Sequence, residues 1–425
     1  MNFELIENKR IGEKYYKLHH KSGLTIIVYP KEGFNSTYAQ IGTNFGSINN
    51  HFITNGREIK VPDGTAHYLE HKLFESEEGD AFTQYAKTGA LANAYTSFEK
   101  TCYLFSCTEK FRESLEILLD LVQSPYFTPE TVAKEQGIIG QEIKMYDDSP
   151  DWRVMMNLQQ AMYHNNPINI DIAGTVETIA EITPEILYEC YNSYYNLNNM
   201  VMCIAGNVSP DEVLEIADRK LKDNSPFNTE SIFPEEPYEV KSNYTEQRLP
   251  VAVPMFCLGF KEKADNKNTV SLKESICTDI LLEAFANESS SLYRKLLDKK
   301  LINSTFGASY LGGLGYRAVV FEGETHSPSE VAEFIRNEVI ELKKNGISPE
   351  DFEIAKRSLY GRTVSVFDSP SAIAANVISL EFLGNTIFDM LEETANITLE
   401  NVNERLKDQL DPDNYSLSVI KGIDD

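Results

Sequence analysis

The sequence is short of features that would staple, anchor or positively charge a protein. Its six cysteines, Cys102, Cys107, Cys190, Cys203, Cys257 and Cys277, include no CxxC pair. That excludes the usual cysteine metal sites and thiol redox motifs, and leaves buried thiols in a reducing compartment as the expectation. No apolar run approaches the roughly 18 residues that cross a bilayer. The opening MNFELIENKRIGEKYY lacks the basic n-region and apolar h-region of a secretory signal, so a cytoplasmic protein with no membrane partner is expected. Cations are scarce: 39 Lys and Arg stand against 65 Asp and Glu, a formal charge of -26. Such a field repels a phosphate backbone, so nucleic acid is not an expected partner.

What is present is a long folded chain. Its 425 residues suffice for two or three domains, and an apolar fraction of 42% with 22 Tyr and 22 Phe is the composition of packed cores, not of disorder. One long-period repeat organises it. TPETVAKEQGIIGQEIKMYDDSP, from Thr128 to Pro150, aligns without gaps on SPEDFEIAKRSLYGRTVSVFDSP, from Ser348 to Pro370, at a constant offset of 220. Upstream, Phe111, Leu115, Leu119 and Val122 map onto Val331, Ile335, Val339 and Leu342, apolar at helical spacing in both copies.

Each Thr-Pro-Glu or Ser-Pro-Glu reads as a helix start, with a hydroxyl N-cap, proline in the first turn and an acid behind it, so helices should begin near Pro129 and Pro349. Strand patterns precede these helices in both halves: LTIIVYP (Leu24 to Pro30) and YAQIGTNFGS in the first, VAVPMFCLGF (Val251 to Phe260) in the second. The expected fold is therefore α+β, two tandem homologous α/β-sandwich domains. The stretch from Asn224 to Pro250 is rich in proline, acid and polar residues and reads as a linker, dividing the chain into domain 1–223, linker 224–250 and domain 251–425.

The sharpest motif is HYLEH, within GTAHYLEHKLF. On a helix, residues four apart share a face, so His67 and His71 present their imidazoles to one cation, with Glu70 on the same side. Only seven histidines occur in the chain, which makes a pair flanking a glutamate at ligand spacing informative. Two neutral imidazoles suit zinc, and a catalytic zinc keeps three protein ligands and a water, so a carboxylate is wanted as the third. Glu70 is placed to act as base on that water. The bland reading of the same residues is a solvated helix face or a satisfied core pair.

The repeat helps to find the third ligand. Glu135 and Glu142, seven apart and so on one helical face, correspond to Ala355 and Arg362 in the second copy. The scaffold is repeated while the carboxylates are not, which ties them to chemistry in the first domain. Glu142 is assigned as the ligand, and Glu135 joins Glu70 among the catalytic acids as the carboxylate supporting the site. Glu75, Glu77, Glu78 and Glu99 are the rival carboxylates. ESEEGD reads as a solvated helix end, YNSYYNLNN as packing before a strand, and His164 as a loop residue.

An HxxEH motif with a downstream glutamate in a duplicated chain resembles the pitrilysin/insulinase family of inverted-motif zinc metallopeptidases. ALANAYTSFEKTCYLF, EQGIIGQEIKMYDDSP and NMVMCIAGNVSP resemble that family as well. The resemblance implies half of a clamshell, one Zn2+ per chain held by His67, His71 and Glu142, and Glu70 as base in peptide hydrolysis. It also implies a substrate strand added along Ala92, Asn93 and Ala94. Family members commonly carry an arginine and a tyrosine in a second-half segment that grips substrate and transition state. Here that segment reads LYRKLLDKKLIN, with Leu297 and Asn303 at those places. Arg294, Tyr310, Tyr316 and Arg317 would substitute only in another register. The pattern is similar to the zinc-bearing subunit of heterodimeric bacterial members, which implies a homologous zinc-less partner. A catalytically inactive scaffold of the same fold is the alternative, and a closed structural zinc site is disfavoured because it would be built from cysteines.

Overall fold

The computed structural model describes residues 3–77, 79–223 and 225–423. These form two compact units, each gathered from separate stretches of chain: residues 1–141, 171–232 and 365–388 in the first, and 142–170, 233–364 and 389–425 in the second. The strands are β1 Glu4–Asn8, β2 Glu13–His19, β3 Thr25–Pro30, β4 Thr37–Thr43, β5 His51–Thr54, β6 Arg57–Lys60, β7 Glu75–Ser76, β8 Gly79–Asp80, β9 Leu91–Thr96, β10 Thr101–Cys107, β11 Met200–Gly206, β12 Thr229–Ser231, β13 Tyr244–Arg248, β14 Met255–Lys261, β15 Gly307–Gly313, β16 Tyr316–Glu324 and β17 Tyr415–Lys421. The helices are α1 Thr65–Leu73, α2 Ala81–Thr88, α3 Phe111–Gln123, α4 Pro129–Asp147, α5 Pro150–Met162, α6 Val176–Ile179, α7 Pro184–Tyr194, α8 Pro210–Lys220, α9 Leu272–Ala286, α10 Ser291–Asp298, α11 Pro328–Asn345, α12 Pro349–Ser365, α13 Pro370–Phe382, α14 Ile387–Asn396 and α15 Leu399–Asp408.

The duplication is visible in the sheets. The first unit has a sheet of order β1-β2-β3-β11-β4-β10-β9 and the second one of order β13-β17-β14-β16-β15. In each, a parallel pair (β3 with β11, β13 with β17) is followed by antiparallel neighbours out to an edge strand, β9 or β15. Amphipathic helices cover one face. In the second unit Phe256, Leu258, Phe260, Val319 and Phe321 meet Ile280, Leu281, Val331 and Ile335 in one buried cluster. At the expected starts, Thr128 Oγ1 accepts from Thr131 N at 3.2 Å and Ser348 Oγ from Asp351 N at 3.1 Å, capping α4 and α12.

The other face of each sheet is covered by a helix from the opposite half of the sequence. α13 packs on β11 and β4 in the first unit, and α5 packs on β14 and β17 in the second. Glycines make room for both: a Cβ at Gly42 of β4 would lie 3.0 Å from Ile378, and one at Gly259 of β14 would lie 2.5 Å from Met162 Sδ. A larger residue at either place would hold the helix off the sheet.

Three local differences from the sequence reading have simple causes. Segment 224–250, whose first residue lies outside the described ones, contains β12 and β13. β13 is the counterpart of β3, and its sequence YTEQR carries no apolar alternation because it is an edge strand with an exposed-to-intermediate face. VAVPMFCLGF becomes strand only from Met255, since Pro254 has no N–H to give to the ladder. ESEEGD forms the ribbon β7–β8, with Glu78 outside the described residues, and Asp80 caps α2 by accepting from Phe82 N at 2.6 Å. The six cysteines are buried free thiols. Among the described residues no single helix is long and apolar enough to cross a membrane; α13 and α14 pass that test only as a pair bent by 81°.

α4 contains Gly137, where a Cβ would meet nothing within 4 Å. Helical glycine costs conformational entropy, so Gly137→Ala should stabilise the chain by about 0.5–1 kcal/mol, read from a urea unfolding midpoint. A loss of stability would mean that this turn of α4 is not regular helix.

Candidate metal centre

α1 begins at Gly64, which sits at φ 89° with the position of its missing Cβ 2.4 Å from Ala173 O. Only glycine makes this entry without strain. The helix is then buried along nearly its whole length, against β9, β10 and α7. His67 and Glu70 are 8% and 7% exposed and His71 is half-buried, so these polar groups are held in a low-dielectric setting where geometry counts. The His67 and His71 rings lie 4.7 Å apart, centroid to centroid.

α4 is one uninterrupted helix that runs past α1. Glu135 Oε1 is 3.0 Å from His71 Nδ1. With Nδ1–H as donor, Nε2 is the nitrogen left for a cation. Burial alone would raise the Glu135 carboxyl, but its hydrogen bond to His71 and the charges of His71, Lys72 and Lys134 hold it below the usual carboxylate range. Two turns on, Glu142 brings a carboxylate oxygen to the histidines: the ligand atoms of His67, His71 and Glu142 all lie within 4.8 Å of one another. Tyr146 Oη donates to Glu142 Oε1 at 3.2 Å, and its ring packs on Trp152 at 5.0 Å. Two imidazoles and one carboxylate, close enough for a single small ion, suit zinc.

Glu70 belongs to the same helix face. Thr96 Oγ1, at the end of β9, donates to Glu70 Oε2 at 2.6 Å and fixes the carboxylate's orientation. β9 pairs with β10 and, among the described residues, with nothing on its other side. Ala92, Asn93 and Ala94 lie on that edge, with the Asn93 side-chain oxygen accepting from Ala94 N at 2.9 Å. Thr96 and Tyr146 were not picked out in the sequence. Tyr146 was legible, being four residues from Glu142 on one helix face; Thr96 was not, because its partner lies 26 residues away.

The rival carboxylates are used otherwise or fall outside this group. Glu75 is ion-paired with Lys72, and among the described residues the grouping of possible metal ligands takes neither Glu75, Glu77 nor Glu99. His164 sits in the loop after α5, where its backbone N–H donates to Glu236 at 2.8 Å. Leu297 is exposed on α10, and Asn303 Nδ2 donates to Glu324 at 2.9 Å. Arg294 bonds Ser289 O. Arg317 bonds Glu274 at 3.1 Å, Tyr310 accepts from Arg405 at 2.9 Å and Tyr316 is buried. Apart from Leu297, these groups are engaged within the second unit.

The matching helices and edge strand of the second half carry different side chains. α9, β15 and α12 line a 290 Å³ pocket in which Arg362, at the place of Glu142, pairs with Glu283 at 2.7 Å. Asp279 shares it. Burial lifts the Asp279 carboxyl from 3.8 to about 6, Arg362 opposing and Glu283 adding to the rise. The folded chain thus keeps this proton over a window, between 3.8 and about 6, in which the unfolded chain has lost it. Stability therefore falls as pH rises through that window, and the full cost is present above it. Asp279→Asn should stabilise the protein by roughly 3 kcal/mol at pH 7.5 and by little at pH 4, as read by urea titration at both values. Equal effects at the two pH values would show that ionisation is not the cost.

A zinc protease named YmfH from Bacillus subtilis (strain 168), itself uncharacterized, is 38% identical over 422 residues, 98% of each chain. The chain belongs to the insulinase family of peptidases, M16. The model of that family, described as Insulinase (Peptidase family M16), matches residues 57–176, and one described as Peptidase M16 inactive domain matches residues 181–359. The mitochondrial-processing peptidase subunit beta of Bos taurus is 31% identical over 165 residues, 38% of this chain and 34% of that one. An M16-like peptidase from Alicyclobacillus acidocaldarius superposes with a TM-score of 0.92 at 33% identity, covering 99% of each chain. An M16 inactive domain from Pseudomonas fluorescens shares the fold with a TM-score of 0.78 at 15% identity. The α+β fold of two homologous domains read from the repeat is the M16 fold.

Proposed function

We propose that this M16 member is a zinc-dependent endopeptidase that hydrolyses peptides or a precursor peptide, with residues 1–223 as its catalytic part and 251–425 as a homologous non-catalytic part. The observation that carries this is the convergence of His67, His71 and Glu142 to within 4.8 Å beside a glutamate held by Thr96. A zinc ion bound there would lower the pKa of its water towards about 7 and polarise a peptide carbonyl. Glu70 takes the water's proton and returns it to the leaving amine. Thr96 keeps that carboxylate aimed, Glu135 fixes the tautomer of His71, and the open edge of β9 binds substrate as an added strand through main-chain hydrogen bonds.

With Leu297 and Asn303 at the places of the family's arginine and tyrosine, a homologous zinc-less chain is the proposed partner that supplies them, in the cytoplasm. That a relative is named as one subunit of a processing peptidase supports the pairing. Digestion of unstructured peptides by the zinc-loaded chain, with and without a homologous zinc-less chain that retains the arginine and tyrosine, tests this. Cleavage that needs both chains is the expected result. The alternative of an inactive scaffold draws on the same Leu297 and Asn303, and on the inactive domain named for residues 181–359. A zinc-loaded pair that cleaves nothing would favour it.

A further inference from the structure

One residue beyond each histidine, α1 carries Tyr68 and Lys72, a turn apart and both 0% exposed. They face α4. Tyr68 Oη donates to Val132 O. Lys72 Nζ donates to Thr131 O at 3.3 Å and is ion-paired with Glu75, whose other oxygen lies 3.9 Å from Lys134 of α4. Two buried donors on α1 thus meet successive carbonyls in the first turn of α4. An ammonium with no exposed surface is costly, and an apolar side chain would fill the space more cheaply if packing were all that this position required.

The ligand assigned to α4 lies far from this fastening. Glu142 is ten residues beyond Val132, about 15 Å along the helix axis at 1.5 Å per residue. A tilt of about 5° at the first turn would move Glu142 by roughly 1.3 Å, whereas metal–ligand distances tolerate only about 0.2 Å. On the zinc reading above, we propose that Tyr68 and Lys72 are positioning residues that set the tilt and depth of α4 against α1, and so fix where Glu135 and Glu142 stand relative to the two histidines. Zinc affinity then depends on two side chains that touch neither the ion nor its ligands.

The test compares the full-length chain with Tyr68→Phe, Lys72→Met and the double variant. Three quantities are read: zinc affinity by competition with a chelating dye, the visible spectrum of the Co(II)-substituted protein, and the melting temperature of the metal-free form. Removing an outer support of a metal site typically costs 10–100-fold in affinity. Each single variant should weaken zinc binding about tenfold and the double variant more, with a changed Co(II) band. Tyr68→Phe removes one oxygen and should leave the metal-free fold intact, so it decides the matter if Lys72→Met does not fold. Variants that bind zinc like the parent with the same Co(II) spectrum, while melting earlier, would show that the pair serves the fold alone and would overturn the proposal. A parent chain that binds no zinc would instead overturn the reading of the site, and the clamp with it.

Discussion

Replacing Glu70 with Gln should abolish most peptide hydrolysis while zinc stays bound. The substitution keeps the size and shape of the side chain and removes its basicity. Thr96 can still donate at 2.6 Å to the amide oxygen, so the side chain keeps its place. The cluster of His67, His71 and Glu142 is untouched. What disappears, on the proposed mechanism, is the group that accepts a proton from water, and positioned general bases are worth about 10²- to 10⁴-fold in rate. A drop of that size in single-turnover cleavage of a quenched peptide, at unchanged zinc content, is the expected result. Activity within a few-fold of the parent would mean that Glu70 is not the base. Loss of zinc along with activity would mean that the glutamate supports the metal site instead of the proton transfer.

The parts of this protein that were legible in its sequence are those written in local spacing. HYLEH reads as one helical face because four residues make about one turn, and α1 places the two histidines side by side. Glu135 and Glu142 were found because the same helix in the second copy carries Ala355 and Arg362, a comparison internal to the chain. The helix starts at Pro129 and Pro349 followed from cap chemistry.

What could not be read depends on contacts made far along the chain. α5 and α13 stand at matching points of the repeat, yet each packs on the sheet of the other half, and an apolar face says that a helix needs a sheet without saying which. Only the close approach at Gly42 and Gly259 reveals the exchange. β13 escaped because an edge strand need not alternate apolar and polar residues. Thr96 and the pair Tyr68 and Lys72 escaped for a different reason: their roles lie in hydrogen bonds to elements that the sequence does not place beside them.

The choice between the two carboxylates of α4 is the most consequential assignment in the site, and a pair of substitutions separates them. Both lie on one helix face and each approaches the histidines, but in different ways. Glu135 reaches the Nδ1 side of His71 at 3.0 Å, behind the nitrogen left for the metal, whereas Glu142 places its oxygen among the ligand atoms themselves. Glu142→Gln exchanges an anionic ligand for a neutral amide while Tyr146, at 3.2 Å, can still hold the oxygen in place. The loss is then electrostatic and not steric, and zinc affinity should fall by more than the roughly 100-fold that marks the upper range for an outer partner. Glu135→Gln keeps an acceptor for the His71 N–H and should fall within about 10–100-fold. Chelator competition at one pH orders the two. If Glu135→Gln proves the more damaging, the carboxylate that binds zinc is the one nearer the start of α4, and the histidine it now orients must turn to release it.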